Sequence, residues 1–487
     1  MTIWLAPRRK RFDESRSAIM TGLPSSAPSL SQPPAPTQTL RRQIGKPPVA
    51  WTVEDLVAVV RDRGIRLLSL MHVGGDGWLK TLDFVPRDAE HLADVLTGGE
   101  RADGSSLFGD LGIPVGASDI VMRPRLATAF IDPFSPEPTL AVLCSHYNRQ
   151  GEPLAESPDT LVRAAYKRLV ETTGVEWQAL GEIEFFLGQR GEEAQVYGAN
   201  ERGYHASSPF VFGEALRRQA LTYLADMGVP VKYGHSEVGY VEADATDPRV
   251  WEQHEIELWL QPLPEAADAV VLTEWVLRNL AQRNGMLCSF APMARKGHAG
   301  SGMHFHFAPC SNGVFLPHTG PDGRLTAEAK WLICGLVTHG GALMAFGNRS
   351  RDSFVRLSQG KEAPSVLTWG RYNRRALVRI PIVPTDAQGR PTSAETIEFR
   401  LPDGSAHPHL LLAGVAQAVV AGKSTQDPDR LLERTAVTAQ GASSVASRVP
   451  LTFAEVADNL AGSRAVLEAG GVFTSNLLDR VIALLRA

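Results

Sequence analysis

Residues 181–187 read Gly181-Glu182-Ile183-Glu184-Phe185-Phe186-Leu187. In an extended strand successive side chains alternate between faces, so Glu182 and Glu184 point one way while Ile183 and Phe185 point the other. Acids two apart among large apolar residues therefore mark a strand with one packed face and one polar face. The arrangement recurs in Glu255-Ile256-Glu257-Leu258, in Met303-His304-Phe305-His306-Phe307 and in Thr396-Ile397-Glu398-Phe399-Arg400-Leu401. One such pair is ordinary in a half-solvated antiparallel strand. Four in one chain predict polar faces that converge. A site holding so many carboxylates needs raised pKa values or counter-cations. Carboxylates joined by one or two imidazoles suit divalent ions such as Mg²⁺ or Mn²⁺, whereas a structural zinc would show cysteine ligands.

Two further ingredients surround these strands. Arg356, Arg371, Arg374, Arg375 and Arg379 crowd one stretch, and planar guanidinium groups bind carboxylate and phosphate through paired hydrogen bonds. Glycine-bounded loops at residues 296–302 and 359–364 let bare backbone approach a ligand. Gly422-Lys423-Ser424 imitates a phosphate loop, but Gln417 stands where its first glycine is needed and the segment follows a helix-like run instead of opening one. Metals and arginines without such a loop point to phosphoryl transfer by clustered metals or to metal-assisted hydrolysis.

The rest of the chain frames this site. Its 487 residues, 44% of them hydrophobic, suffice for two or three domains. Forty-nine basic residues against 53 acidic ones leave a net charge of −4, which disfavours a nucleic-acid partner. Apolar runs such as Leu410 to Val420 fall short of the roughly 20 residues a membrane span requires, so no membrane association is expected. Four scattered cysteines without a CxxC fit free thiols and a cytoplasmic location. Residues 1–49 carry eight of the 33 prolines and are expected to be a disordered extension. Thr52-Val53-Glu54-Asp55-Leu56 has the form of a capped helix start, strand-like runs follow at Ile65 to Met71 and Thr139 to Cys144, and a first domain over residues 50–152 is expected to end near Pro153. Beyond it, helical periodicity at Pro158 to Thr172, Ala215 to Met227, Pro264 to Asn284 and Ala327 to Phe346 alternates with short strands, predicting an α+β catalytic domain over residues 153–487. Trp177, Trp259 and Trp331 are expected in its core.

These motifs resemble the glutamine synthetases, in collinear order from about Asp103 to His409. Asp103-Gly104-Ser105-Ser106, Ser118-Asp119, the Glu182 strand, His235-Ser236-Glu237-Val238, Gln253-His254-Glu255-Ile256 and Gly300-Ser301-Gly302-Met303-His304 each match a family element. The order continues through Arg356-Leu357, Gly360-Lys361-Glu362-Ala363-Pro364, Asn373-Arg374, Arg379-Ile380-Pro381, Glu398-Phe399-Arg400 and Pro402-Asp403. The resemblance implies an N-terminal β-grasp-like domain and a catalytic α/β domain whose antiparallel sheet lines the active site. It also implies a ring-shaped homo-oligomer, a dodecamer, with active sites between subunits. Carried over by position, Glu184, Glu237 and Glu255 would hold one Mg²⁺ or Mn²⁺, and Glu182, His304 and Glu398 the ion nearer the phosphates of ATP. Arg356 and Arg400 would bind the carboxylates of glutamate with the Gly300 backbone. Arg374 and Arg379 would neutralise the transferring phosphoryl group, and Arg379 and His306 would lie at the nucleotide. Glu362 would close a flap, and Asp103 of the adjacent subunit with Tyr204 would receive ammonia or an amine.

The sequence also departs from the family pattern. Ala299 stands where asparagine usually precedes Gly-Ser-Gly, Ser236 replaces a usual histidine, Met293-Ala294 replace Lys-Pro, Thr396 stands where arginine is common, and residues 239–251 form a longer connection than usual. No tyrosine follows Tyr372, which removes an acceptor for tyrosine adenylylation. The departures favour joining glutamate to an organic amine, giving a γ-glutamylamide. Glutamine synthesis from ammonia, a non-catalytic relative and a metal-dependent phosphohydrolase stay open as alternatives.

Overall fold

The computed structural model describes residues 38–191, 201–438, 441–442 and 446–487. Most of the expected N-terminal extension lies outside them, but its last part is ordered: helix α1 (Thr39–Ile44) buries Leu40, and Arg42 reaches Asp226 at 3.4 Å. The folded chain thus begins before residue 49, because one leucine and one ion pair anchor a stretch whose composition alone reads as tail.

Helix α2 (Val53–Arg63) starts at the expected cap. The Thr52 hydroxyl accepts from the Asp55 amide while Asp55 accepts from the Thr52 amide, a reciprocal pairing that satisfies two otherwise free donors. With α3 (Ala89–Gly98) it covers a sheet of β1 (Leu67–Val73), β2 (Leu79–Phe84), β3 (Glu100–Asp103), β4 (Asp119–Pro124), β5 (Phe130–Ile131) and β6 (Thr139–Tyr147). The order is β2-β1-β6-β4-β3, with β1 and β6 parallel and β5 on β6. Alternation along β6 divides its residues between two cores. Leu140, Val142 and Cys144 face the helices, whereas Ala141 and Leu143 join the main core with Phe108 of α4 (Gly104–Phe108).

The second sheet is built on β7 (Glu176–Arg190), β8 (Val231–Val241), β9 (Arg249–Leu258), β10 (Gln261–Pro262), β11 (Leu287–Ser289), β12 (Met303–Ser311), β13 (Val314–Phe315), β14 (Trp369–Arg371), β15 (Val378–Ile380) and β16 (Ile397–Phe399). Its main order is β14-β15-β16-β12-β7-β9-β8, antiparallel except between β14 and β15. Helices α5 (Pro158–Thr173), α6 (Glu214–Met227), α7 (Leu263–Arg283), α8 (Ala327–Gly347), α9 (Arg351–Ser358) and α10 (Pro408–Lys423) follow, and the four periodic segments predicted as helices match to within one residue at each end. Among the described residues only α8 is long and apolar enough to cross a bilayer, and 78% of its apolar window is buried inside the fold. Gly422-Lys423-Ser424 closes α10, as its rejection as a phosphate loop requires.

One expectation is corrected, and the longer connection is placed. Trp259 is 49% exposed, because it follows the last residue of β9 at the sheet margin, where Lys232 lies 5.7 Å from its ring. Residues 239–251 are no open loop. They continue β8 and start β9, and Asp244 closes the turn by accepting from the Thr246 and Asp247 amides. Arg295 pins the tip through Asp244 at 3.0 Å and the Glu242 carbonyl at 2.9 Å.

Candidate active site

Register brings the four polar faces together. Glu182 pairs with Glu257 and Glu184 with Glu255 across β7 and β9, His304 stands opposite Glu182 across β12 and β7, and His306 opposite Glu398 across β12 and β16. Like charges directly across a ladder repel, and here they border a cleft of about 1280 Å³. The tip of the 239–251 hairpin is not among the cleft's lining residues.

Two groups of donor atoms converge to within 4.8 Å of one another: Glu182, His306 and Glu398, and His235, Glu237 and Glu255. They overlap the expected ligand sets without matching them. Glu184 is drawn aside because its Oε2 accepts from the Gly302 amide at 2.8 Å and from Gln253 Nε2 at 3.0 Å. His304 Nδ1 sits amid three acids, 3.2 Å from Glu182, 3.6 Å from Glu398 and 3.8 Å from Glu184. His306 is fixed by Glu182 at 3.0 Å and by the Thr396 hydroxyl at 2.8 Å, so the threonine found in place of arginine orients a ring of the site.

The electrostatics fit divalent cations. Burial pushes Glu237 up to about 7, helped by the charge of Glu184, and burial with four neighbouring carboxylates raises Glu255 well above the usual range. Glu182 is buried as well, yet His306 and His304 hold it low. Burial and nearby Arg400 lower His304 to about 4, leaving the neutral imidazole that coordinates metals. Acids forced towards protonation beside the neutral His304 are a donor set that a doubly charged ion relieves.

Arginines close the other side. Glu398, fully buried, is held by Arg400 and lies 2.5 Å from Arg379 Nε. Arg356, on α9, donates to the Leu401 carbonyl at 3.1 Å and approaches His304 at 3.4 Å. A side chain at Gly300 would meet the Pro292 carbonyl at 2.7 Å, and one at Gly302 would meet the His304 ring at 2.3 Å, so the glycines let this segment pass. Arg374 faces Glu362 at 3.5 Å, and Arg400 donates to both of their carbonyls. The loop carrying Glu362 is latched: Lys361 bonds Glu201 at 2.9 Å and the Gly297 carbonyl at 2.8 Å, while Gln359 accepts from the Gly297 amide.

Tyr204 lines the cleft with its ring stacked on His205. Asp103 does not line it. It caps α4, bonded to Ser105 and Ser106, and those hydroxyls hold its carboxyl far below the usual range. Glu201, Lys361, Gln253 and His235 are site residues that the sequence reading did not assign. His235 alone carried a signal, since it stands two before Glu237 on the same strand.

The comparisons agree over most of the chain. The family model "Glutamine synthetase, beta-Grasp domain" matches residues 64–149 and "Glutamine synthetase, catalytic domain" matches residues 155–487. The chain is 30% identical over 437 residues to glutamine synthetase of Azospirillum brasilense, covering 81% of this chain and 88% of that one. Glutamine synthetase of Escherichia coli K12 is 28% identical over 435 residues, covering 81% and 87%. The solved glutamine synthetase of Plasmodium falciparum superposes with a TM-score of 0.74 at 18% identity, covering 90% and 95%, and ligand-free GmaS with a TM-score of 0.70 at 20% identity, covering 88% and 94%. With both domain models matched in order and the converging carboxylates inside the second, the chain belongs to the glutamine synthetase family, whose members are oligomeric, metal-dependent ligases, and it is an ATP-dependent enzyme that forms carbon–nitrogen bonds.

Proposed function

We propose that this enzyme joins the γ-carboxylate of glutamate to an organic amine through a γ-glutamyl phosphate, releasing ADP and phosphate and giving a γ-glutamylamide. The observation that carries the reading is the pairing of two carboxylate–imidazole groups with Arg379 and Arg400 on one buried glutamate, Glu398. A carboxylate is a poor electrophile, and such a site suits charge that develops on a transferring phosphoryl group. Preference for an organic amine is supported by the size of the cleft and by Ala299, whose amide donates to Glu201 at 3.0 Å where the family presents an asparagine side chain.

In this reading Glu184, Glu237 and Glu255, with His235 beside them, would hold one Mg²⁺ or Mn²⁺, and Glu182, His304 and Glu398 would hold the second, with His306 near the nucleotide. The ions supply charge neutralisation at the phosphates. Arg356, Arg400 and the Gly300 backbone hold the carboxylates of glutamate; Arg374 and Arg379 face the phosphoryl group. Glu362, carried on the latched flap, excludes water from the acyl phosphate. Asp103 of an adjacent subunit and Tyr204 receive the nitrogen and take its proton as the carbon–nitrogen bond forms, and phosphate leaves with the electrons of the broken carbon–oxygen bond. A ring, a dodecamer, would bring that Asp103 to the cleft, and four cysteines without a disulfide suit the cytoplasm.

Ammonia is the second reading, favoured by Tyr204 beside Glu237. The test is phosphate release from ATP with glutamate and Mg²⁺ or Mn²⁺, comparing ammonium with aliphatic, aromatic and polyamine nucleophiles and recording product masses. Turnover mainly with one amine supports the proposal; turnover mainly with ammonium replaces it by glutamine synthesis.

A further inference from the structure

Strand β8 places Tyr233, His235 and Glu237 at alternate positions, and all three line the cleft. The Tyr233 ring lies 5.9 Å from that of His235, and the Tyr204 ring meets His235 edge-on at 5.4 Å. Aromatic surface therefore runs outward from Glu237, and both tyrosines stay open, 48% exposed at Tyr204 and 44% at Tyr233.

This wall is fixed in place. The loop bearing Tyr204 is stitched to β8 by the His205 amide on the Ser236 carbonyl at 2.9 Å and by the Ser236 hydroxyl on the Ala206 carbonyl at 2.6 Å. His205 takes a left-handed backbone, φ 57°, to stack on Tyr204 at 4.3 Å. Gly203 lets the loop lie close, since a side chain there would meet the Glu237 carbonyl at 2.5 Å. Ser236, one of the departures from the family pattern, thus anchors the aromatic wall. Its outer end holds an ion pair: Lys232 Nζ lies 5.1 Å from the Tyr233 ring centroid and 2.6 Å from Glu257.

Resting on the ligase reading above, we infer that the nitrogen substrate is a primary amine with an alkyl or arylalkyl substituent, its nitrogen at Tyr204 beside Glu237 and its substituent against Tyr233. Tyr233 stands four residues from Glu237, about 13 Å along the strand, and its ring, 5.9 Å from that of His235, leans over part of that distance, so the substituent must be several carbons long to reach it. Ammonia would leave Tyr233 without a partner.

The test uses the full-length enzyme with ATP, Mg²⁺ and glutamate, and hydroxylamine as a nucleophile with no substituent to read. Wild type should form γ-glutamyl hydroxamate and should use hexylamine or 2-phenylethylamine better than methylamine. In Tyr233→Ala the ratio of kcat/KM for hexylamine over hydroxylamine should fall about tenfold, the worth of one good aromatic contact, while Tyr233→Phe keeps it. Native mass is recorded for each variant. Preference of wild type for methylamine, an unchanged ratio in Tyr233→Ala, or a changed native mass with all nucleophiles affected alike would overturn the inference while hydroxamate formation leaves the ligase reading standing. Failure of wild type to form hydroxamate overturns both.

Discussion

Glu398 stands directly opposite His306 in the β16–β12 ladder and directly opposite Arg379 in the β15–β16 ladder, so one buried carboxylate joins the imidazole side of the site to its guanidinium side. Replacing it with an amide of equal size removes the charge both sides share and leaves Arg379 and Arg400 facing each other across a neutral group. Glu398→Gln should lower kcat more than a hundredfold, since it loses a ligand and misorients two arginines. Calorimetric titration with Mn²⁺ should show one binding event weakened. Retained turnover with unchanged Mn²⁺ binding would remove Glu398 from the site.

The metal itself should stabilise the fold. Glu184 faces Glu255 and Glu182 faces Glu257 across the ladder, a repulsion that Lys232 and the histidines beside Glu182 offset in part and a bound cation would offset further. Removing divalent ions with EDTA should lower Tm by several degrees, and millimolar Mg²⁺ or Mn²⁺ should restore it in a concentration-dependent way, as linkage demands of any ligand that binds only the folded chain. Calcium at equal concentration should restore Tm without restoring turnover if geometry at the site matters for the chemistry. A Tm indifferent to EDTA would contradict the two donor groups.

Much of this architecture was legible because it is local. Period-two alternation in residues 181–187, 255–258 and 303–307 identifies strands and their polar faces without reference to anything distant, and the long helices declare themselves by periodicity. The membership of each donor group was not legible. His235 and His306 join through cross-strand register, and Glu184 leaves because Gly302 and Gln253 capture it, which are relations between residues far apart in sequence. The Glu201–Lys361 latch spans 160 positions and has no local signature. Leu40 shows the same limit at the other end: a single anchoring side chain is invisible in a proline-rich composition.

Acid should attack the first domain through a buried pair. His146 Nε2 lies 3.0 Å from His72 Nδ1, and burial lowers His72 to about 4 and His146 to about 3 from an ordinary 6.5. The folded state therefore binds fewer protons than the unfolded one. The stability these groups contribute is complete above pH 6.5 and is lost as pH falls from there towards 4, by on the order of 2 kcal/mol per histidine. Urea midpoints followed by the fluorescence of the protein should fall steeply between pH 6.5 and 4.5. The double variant His72→Gln/His146→Gln should start lower but lose less over the same range. Parallel slopes in the two proteins would show that other groups govern acid unfolding.

The latch at the flap bears on product yield more than on stability. Lys361 and Glu201 are both partly exposed, so their ion pair adds little to folding. Its consequence is geometric: Lys361 precedes Glu362, and holding it to Glu201 and to the Gly297 carbonyl fixes the flap over the cleft. An acyl phosphate reached by water hydrolyses before an amine can attack, so a loosened flap should waste ATP. In Glu201→Gln and Lys361→Met the phosphate released per amide formed should rise from near one to about two or more, with Tm unchanged within a degree or two. A stoichiometry that stays at one in both variants would mean that the flap is closed by Glu362 and Arg374 alone, and the latch would then be a contact without a role in sequestering the intermediate.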